Sequence, residues 1–135
     1  MIKSFEIDHM QMDAPTMRIA DTYQKGDVIV EKYDLRFVTP NTTYIDDKKM
    51  HSMEHLLATA FKKEFKEDMI DLSPMGCKTG FYFTVFKTDN INERIKKALI
   101  ESSTIEIPTP TKHNCGSYLL HDIEGARCFL ERLMN

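Results

Sequence analysis

Residues 50–65 read Met50-His51-Ser52-Met53-Glu54-His55-Leu56-Leu57-Ala58-Thr59-Ala60-Phe61-Lys62-Lys63-Glu64-Phe65, and the spacing within this run decides the class of fold. Met50, Met53, Leu57, Ala60, Phe61 and Phe65 recur every three or four positions, the period of one apolar helix face. Asp46 or Asp47 stands where a side-chain oxygen can cap the first turn. Upstream the period changes. Over residues 27–38, Leu35 and Phe37 fall on one face while Asp34 and Arg36 fall on the other, which predicts a half-buried strand. Downstream, residues 69–72 read as a short strand and residues 80–87 as an aromatic and β-branched one. Two further helices are predicted. Residues 91–100 form the first, capped by Asp89 or Asn90; residues 122–134 form the second, with Ile123, Ala126, Phe129, Leu130 and Leu133 on its apolar face. Turn signals separate these runs at Lys25-Gly26-Asp27, Thr39-Pro40-Asn41, Ser73-Pro74-Met75-Gly76 and residues 108–110. Strands and helices mix without a regular βαβ rhythm. The class is therefore α+β, an antiparallel sheet packed with helices in a single compact domain spanning 1–135.

Length and charge narrow the function. A chain of 135 residues is one domain's worth. It buries roughly two thirds of the surface exposed on unfolding, enough for a core without disulfide staples. The hydrophobic share of 41% and charged share of 29% are ordinary for a globular protein. A formal net charge of -3 speaks against a nucleic-acid binder, and Lys48-Lys49 and Lys62-Lys63 read as solvated helix positions. The opening Met-Ile-Lys-Ser-Phe-Glu-Ile-Asp has no basic region followed by an apolar core, so no secretory signal is expected. No apolar run approaches the roughly 20 residues of a membrane span. Three cysteines, Cys77, Cys115 and Cys128, give an odd count with no disulfide framework. A reducing, cytoplasmic setting follows, in which free thiols are available for ligation or catalysis.

The chemistry enters with His51, Glu54 and His55. Two histidines at i and i+4 lie about 40° apart around a helix axis and one turn apart along it. Both imidazoles can reach one tetrahedral ion, and Glu54 leans over the same face toward a bound water or substrate. This is the inverted H-x-x-E-H arrangement of one class of zinc peptidases. The competing reading is a surface helix with two solvated histidines and a salt-bridging Glu; the strongly apolar remainder of the helix argues against it. A third ligand is required. Cys115, in His113-Asn114-Cys115-Gly116, would complete a His2Cys site with one open position, the mark of a catalytic ion. His113 competes for that role, and Cys115 as a small buried apolar residue is the alternative to both. Cys77 lies between Gly76 and Gly80 in a turn, where Lys78 or another nearby cation would lower its pKa; a purely packing role weighs equally on the local sequence. Cys128 lies beside the apolar stripe of the last helix and reads as packing.

Assembled in order, these residues resemble the LuxS family of S-ribosylhomocysteine lyases. The resemblance is carried by Ser4-Phe5-Glu6-Ile7-Asp8-His9, Tyr33-Asp34-Leu35-Arg36-Phe37, His51-Ser52-Met53-Glu54-His55-Leu56-Leu57, and Asn114-Cys115-Gly116 with Leu120-His121-Asp122-Ile123-Glu124-Gly125-Ala126. The most specific block runs from Ile70-Asp71-Leu72-Ser73-Pro74-Met75-Gly76-Cys77-Lys78 to Thr79-Gly80-Phe81-Tyr82. The resemblance implies a homodimer of α+β subunits with the active sites at the subunit interface. It implies one Fe2+ per subunit, replaceable by Zn2+ or Co2+. His51, His55 and Cys115 match the metal-ligand positions, and Glu54 and Cys77 match the two acid/base residues. Ser4, His9, Arg36 and Asp71 match positions that hold the substrate, with Ser4, His9 and Arg36 expected from the partner subunit. Val38 departs from the pattern, standing where many members carry a cysteine, and the loop before residues 91–100 and the C-terminus are shorter than in typical members.

The implied reaction suits these residue types. A thiolate leaves easily only when the carbon next to the one that bears it can lose a proton, which requires moving the sugar carbonyl along the chain before β-elimination. Each carbonyl shift develops negative charge on oxygen, which calls for a Lewis acid. Proton movement calls for two tuned groups on opposite sides of the sugar, Cys77 for carbon-bound protons and Glu54 for protons on oxygen. The products implied are homocysteine and 4,5-dihydroxy-2,3-pentanedione, the autoinducer-2 precursor in quorum sensing; the same reaction would recycle a methylation by-product in the methionine cycle. Two rivals stand beside this reading. A metallopeptidase shares the inverted motif but needs a larger scaffold and a distant Glu ligand. A metal-storing or sensing module would use the same His2Cys set but gives no reason for Glu54 or Cys77.

Overall fold

The computed structural model describes residues 15–135, so Ser4 and His9 lie outside the described residues. The chain divides into two units: residues up to Ile45 together with Glu67–Ile91, and Asp46–Lys66 together with Asn92–Asn135.

The first unit is a four-stranded antiparallel sheet. Strands β1 (Thr16–Lys25), β2 (Val28–Arg36), β3 (Met69–Pro74) and β4 (Gly80–Phe86) lie in the order β1-β2-β4-β3. β1 is a finding the residue pattern did not announce. It is an edge strand with none of its ten residues buried, so no alternation is imposed on it. What the sequence does mark is the turn that ends it: Gly26 takes φ 61° and joins Lys25 to Val28. The other strands fall where the alternation places them. Tyr33 and Leu35 on β2, and Phe81, Phe83 and Val85 on β4, are buried. Each apolar side chain of that size contributes about 1.5–3 kcal/mol on burial. Asp34 and Arg36 are buried as well, at 0% and 1% exposure, although the alternation puts them on a polar face. Their charges are satisfied by each other: Arg36 Nη2 donates to Asp34 Oδ2 at 2.8 Å and Nε to Oδ1 at 3.2 Å.

Gly80 opens β4 opposite Arg36. A Cβ at that position would stand 2.9 Å from the Arg36 Cα, so only glycine lets the two backbones approach this closely. The approach draws the preceding turn against the end of β2. Phe37 N and Val38 N both donate to the Thr79 carbonyl, at 2.8 and 3.1 Å.

The second unit is helical. α1 (Asp47–Phe65) is capped by Asp46, whose carboxylate accepts from Lys49 N at 3.0 Å. All six residues of its anticipated apolar face are buried, along with Ser52 and Leu56. α2 (Ile91–Ser102) buries Ile95, Ala98 and Leu99. It is tied to α1 by Arg94, which donates from Nε to Glu64 at 3.2 Å and lies over the Phe65 ring. α3 (Ile123–Leu133) is capped by Asp122, whose Oδ1 accepts from Gly125 N at 2.9 Å. Only Ala126 and Leu130 of its stripe are buried, and Cys128 is exposed rather than packed. No helix among the described residues is long and apolar enough to cross a membrane.

Candidate active site

α1 presents His51 and His55 one turn apart, and the chain returns to them through the segment between α2 and α3. That segment has no regular strand or helix, so its shape rests on individual hydrogen bonds. Thr111 N donates to Asn114 Oδ1 at 2.7 Å, Asn114 Nδ2 to the Thr109 carbonyl at 3.2 Å, and Cys115 N to the Thr111 carbonyl at 3.0 Å. The resulting turn aims Cys115 at the helix. A second anchor follows where Asp122 N donates to the Lys48 carbonyl at 3.2 Å and to Ser52 Oγ at 2.8 Å.

Between these anchors four side chains converge. His51, His55, Cys115 and His121 each offer one ligand atom, and all four atoms lie within 4.8 Å of one another. Cys115 Sγ is 3.4 Å from His51 Nε2, 3.9 Å from His55 Nε2 and 3.6 Å from His121 Nε2. Around a tetrahedral ion, metal–sulfur and metal–nitrogen bonds of ordinary length leave sulfur and nitrogen about 3.6 Å apart. The donor set, a mixture of imidazole and thiol, therefore fits a divalent transition ion. His113, the rival to Cys115, is exposed and does not join the cluster. His121 does join it, and the reading of single residues gave it no role. Its position six residues after Cys115 and directly before the Asp122 cap is the feature that places it there.

The electrostatics favour the neutral form of two imidazoles, His55 and His121. Burial lowers the His55 pKa below the ordinary 6.5, and the His51 charge lowers it further against the opposing pull of Glu54. Burial lowers His121 too, followed by the charges of His51 and His55. Both rings are thus uncharged at neutral pH, the state in which nitrogen can meet a metal. In the metal-free protein, the imidazole proton resonances of His55 and His121 are expected to titrate with midpoints below 6.5. Midpoints at or above that value would show rings better solvated than this geometry allows.

The first unit carries a separate group of candidates. Cys77 occupies the turn between β3 and β4, where Lys78 N donates to the Met75 carbonyl at 2.9 Å and Lys78 takes φ 62°. The thiol is exposed. Its sulfur lies 3.0 Å from Thr79 Oγ1, and Arg36 Nη1 donates to it across 3.6 Å and to Thr79 Oγ1 at 2.7 Å. A cavity of about 420 Å³ opens beside it, lined by residues 40–44 with Cys77 and Thr79. That volume matches a small polar ligand. Asp71 is exposed on β3 and accepts from Ser73 Oγ. Among the expected site residues, then, His51, His55 and Cys115 meet in one unit and Arg36 and Cys77 meet in the other. Glu54 is half-buried on α1 beside His55.

Fold and cluster together define an α+β protein with a His/Cys centre of the kind that holds a divalent transition metal. The family model described as S-Ribosylhomocysteinase (LuxS) matches residues 2–135. The chain belongs to that family. A Clostridium perfringens protein named S-ribosylhomocysteine lyase is 43% identical over 139 residues, covering 98% of this chain and 91% of the relative. Relatives of the same name from Enterococcus faecalis and Helicobacter pylori are 40% and 39% identical. They cover 93% and 97% of this chain, and 85% and 90% of their own lengths.

Proposed function

We propose that this chain is a carbon–sulfur lyase that cleaves S-ribosylhomocysteine to homocysteine and 4,5-dihydroxy-2,3-pentanedione. The observation that carries the reading is the convergence of two imidazoles and a thiol at metal-ligand spacing, in a chain of the S-ribosylhomocysteinase family. His51, His55 and Cys115 hold the ion, which is Fe2+ in the cell and replaceable by Zn2+ or Co2+. When bound, that ion supplies Lewis acidity to the sugar oxygens.

The remaining work falls to side chains. Cys77 takes a proton from one sugar carbon and returns it to the next, moving the carbonyl along the chain. Glu54 carries protons among the hydroxyl oxygens. In the last step a proton leaves the carbon beside the carbonyl and its electron pair becomes the C=C bond. The homocysteine thiolate departs from the neighbouring carbon and is protonated afterwards. Ser4, His9, Arg36 and Asp71 hold the substrate. The whole chain acts as one domain in a cytoplasmic homodimer whose sites lie at the subunit interface. Arg36, aligned by Asp34, reaches both Thr79 and Cys77, which supports a place for it beside the reacting sugar.

The test is release of free thiol. Protein loaded anaerobically with Fe2+ or Co2+ should liberate one homocysteine per S-ribosylhomocysteine and leave casein intact. Casein cleavage without thiol release would replace this reading with a peptidase. Metal uptake with neither reaction would point to storage or sensing.

A further inference from the structure

Four ligand-type residues meet in the second unit, yet their hydrogen bonds divide them into two kinds. His51 Nδ1 lies 2.6 Å from the Leu120 carbonyl oxygen. A carbonyl only accepts, so the imidazole proton sits on Nδ1 and Nε2 keeps its lone pair for a metal. His121 is wired the other way. Its Nδ1 lies 2.9 Å from Ser52 Oγ, a hydroxyl with 0% exposure. That hydroxyl already accepts the Asp122 backbone N–H at 2.8 Å. Giving its own proton to His121 Nδ1 lets the buried hydroxyl both donate and accept, the arrangement that uses its O–H. Accepting at Nδ1 puts the ring proton of neutral His121 on Nε2, the atom that lies 3.6 Å from Cys115 Sγ.

We infer that His121 is not a fourth ligand but a positioning residue, whose Nε2–H, set by Ser52, donates to the sulfur of Cys115 and leaves the fourth coordination position open. The inference rests on the reading of His51, His55 and Cys115 as ligands. Its physical content is specific. A protonated ring nitrogen has no lone pair to offer an ion. An N–H donor to a coordinated thiolate withdraws charge from sulfur, which weakens donation to the metal and strengthens the ion as an acid toward substrate oxygens. The ring is also held in place by stacking on His51, with centroids 3.8 Å apart. One buried serine, between the two helix ligands in sequence, thus decides which histidine binds and which donates.

The experiment uses the Co2+-loaded full chain and reads the sulfur-to-cobalt charge-transfer band, the visible cobalt bands and the metal affinity against a chromophoric chelator. The wild type should take one Co2+, show the charge-transfer band, and change its visible bands when azide enters the open position. His121→Leu removes the donor, so charge returns to sulfur and the band should move to longer wavelength, while loss of the contact that holds Cys115 in place should lower affinity about tenfold. His121→Gln, which keeps an N–H near the same place, should restore most of the band position. Ser52→Ala frees the His121 tautomer, lets Nε2 ligate, and should blunt the azide response. An unshifted band in His121→Leu overturns the inference, provided its circular dichroism matches the wild type. So does an azide response that appears only when His121 is removed, since His121 would then be a ligand. Absence of any charge-transfer band in the wild type would instead defeat the underlying metal reading, and this inference with it.

Discussion

A Cys77→Ala chain is expected to keep its metal and to lose two to four powers of ten in S-ribosylhomocysteine turnover, the range (~10²–10⁴) spanned by a positioned acid–base group. The ligand-type atoms belong to His51, His55, Cys115 and His121, so the substitution removes none of them. It does remove an exposed sulfur that the fold has gone to some length to place. The β3–β4 turn needs the left-handed conformation of Lys78 and the missing side chain of Gly80, and it sets the thiol beside Arg36, Thr79 and the 420 Å³ cavity. Packing does not explain such a thiol, because an exposed turn residue fills no core. The measurement is thiol release under saturating substrate, with metal content assayed on the same sample. Full turnover at one equivalent of metal would end the assignment of Cys77 as a proton carrier.

The second large effect concerns stability. Asp34→Ala should cost about 3–5 kcal/mol, the usual penalty for leaving a buried charge without its partner. Arg36 is 1% exposed, and the substitution leaves it only Thr79 Oγ1 and Cys77 Sγ among the partners described above. Arg18 loses its 2.8 Å contact with the same carboxylate. That loss is large against the 5–15 kcal/mol that holds most domains folded. Urea unfolding with an unchanged slope would report it as a shift in midpoint. The double substitution Asp34→Ala with Arg36→Met should be less destabilised than Asp34→Ala alone, because the stranded charge is gone. Equal losses in the two proteins would mean that the ion pair is not the cause.

The two predictions touch residues that were not equally legible in the sequence. α1 could be read almost residue by residue, because its apolar spacing, its cap at Asp46 and its His-Glu-His face are all local signals. β1 could not, because an edge strand with no buried residue has no pattern to betray it. Asp34 and Arg36 look like a solvated strand face, and only the fold shows that each removes the other's need for water. His121 illustrates the same limit within the metal cluster. Its sequence neighbourhood marks a helix start, while its ring is hydrogen-bonded to a serine 69 residues earlier that local reading cannot connect to it. Cys128 departs from its expected packing role for the converse reason: it neighbours an apolar stripe but is exposed.

The separation of the two halves of the metal cluster has a further consequence. Cys115 stands 64 residues after His51, and the segment that delivers it has no strand or helix of its own. An ion held by the proposed ligands would close a long loop, as a disulfide does, but reversibly and at a strength set by concentration. At free metal one hundred times the dissociation constant, the folded state gains about 2.7 kcal/mol. Metal supply would then govern the persistence of the protein as well as its activity, and a chelator would act on this chain as a reductant acts on a cystine-stapled one.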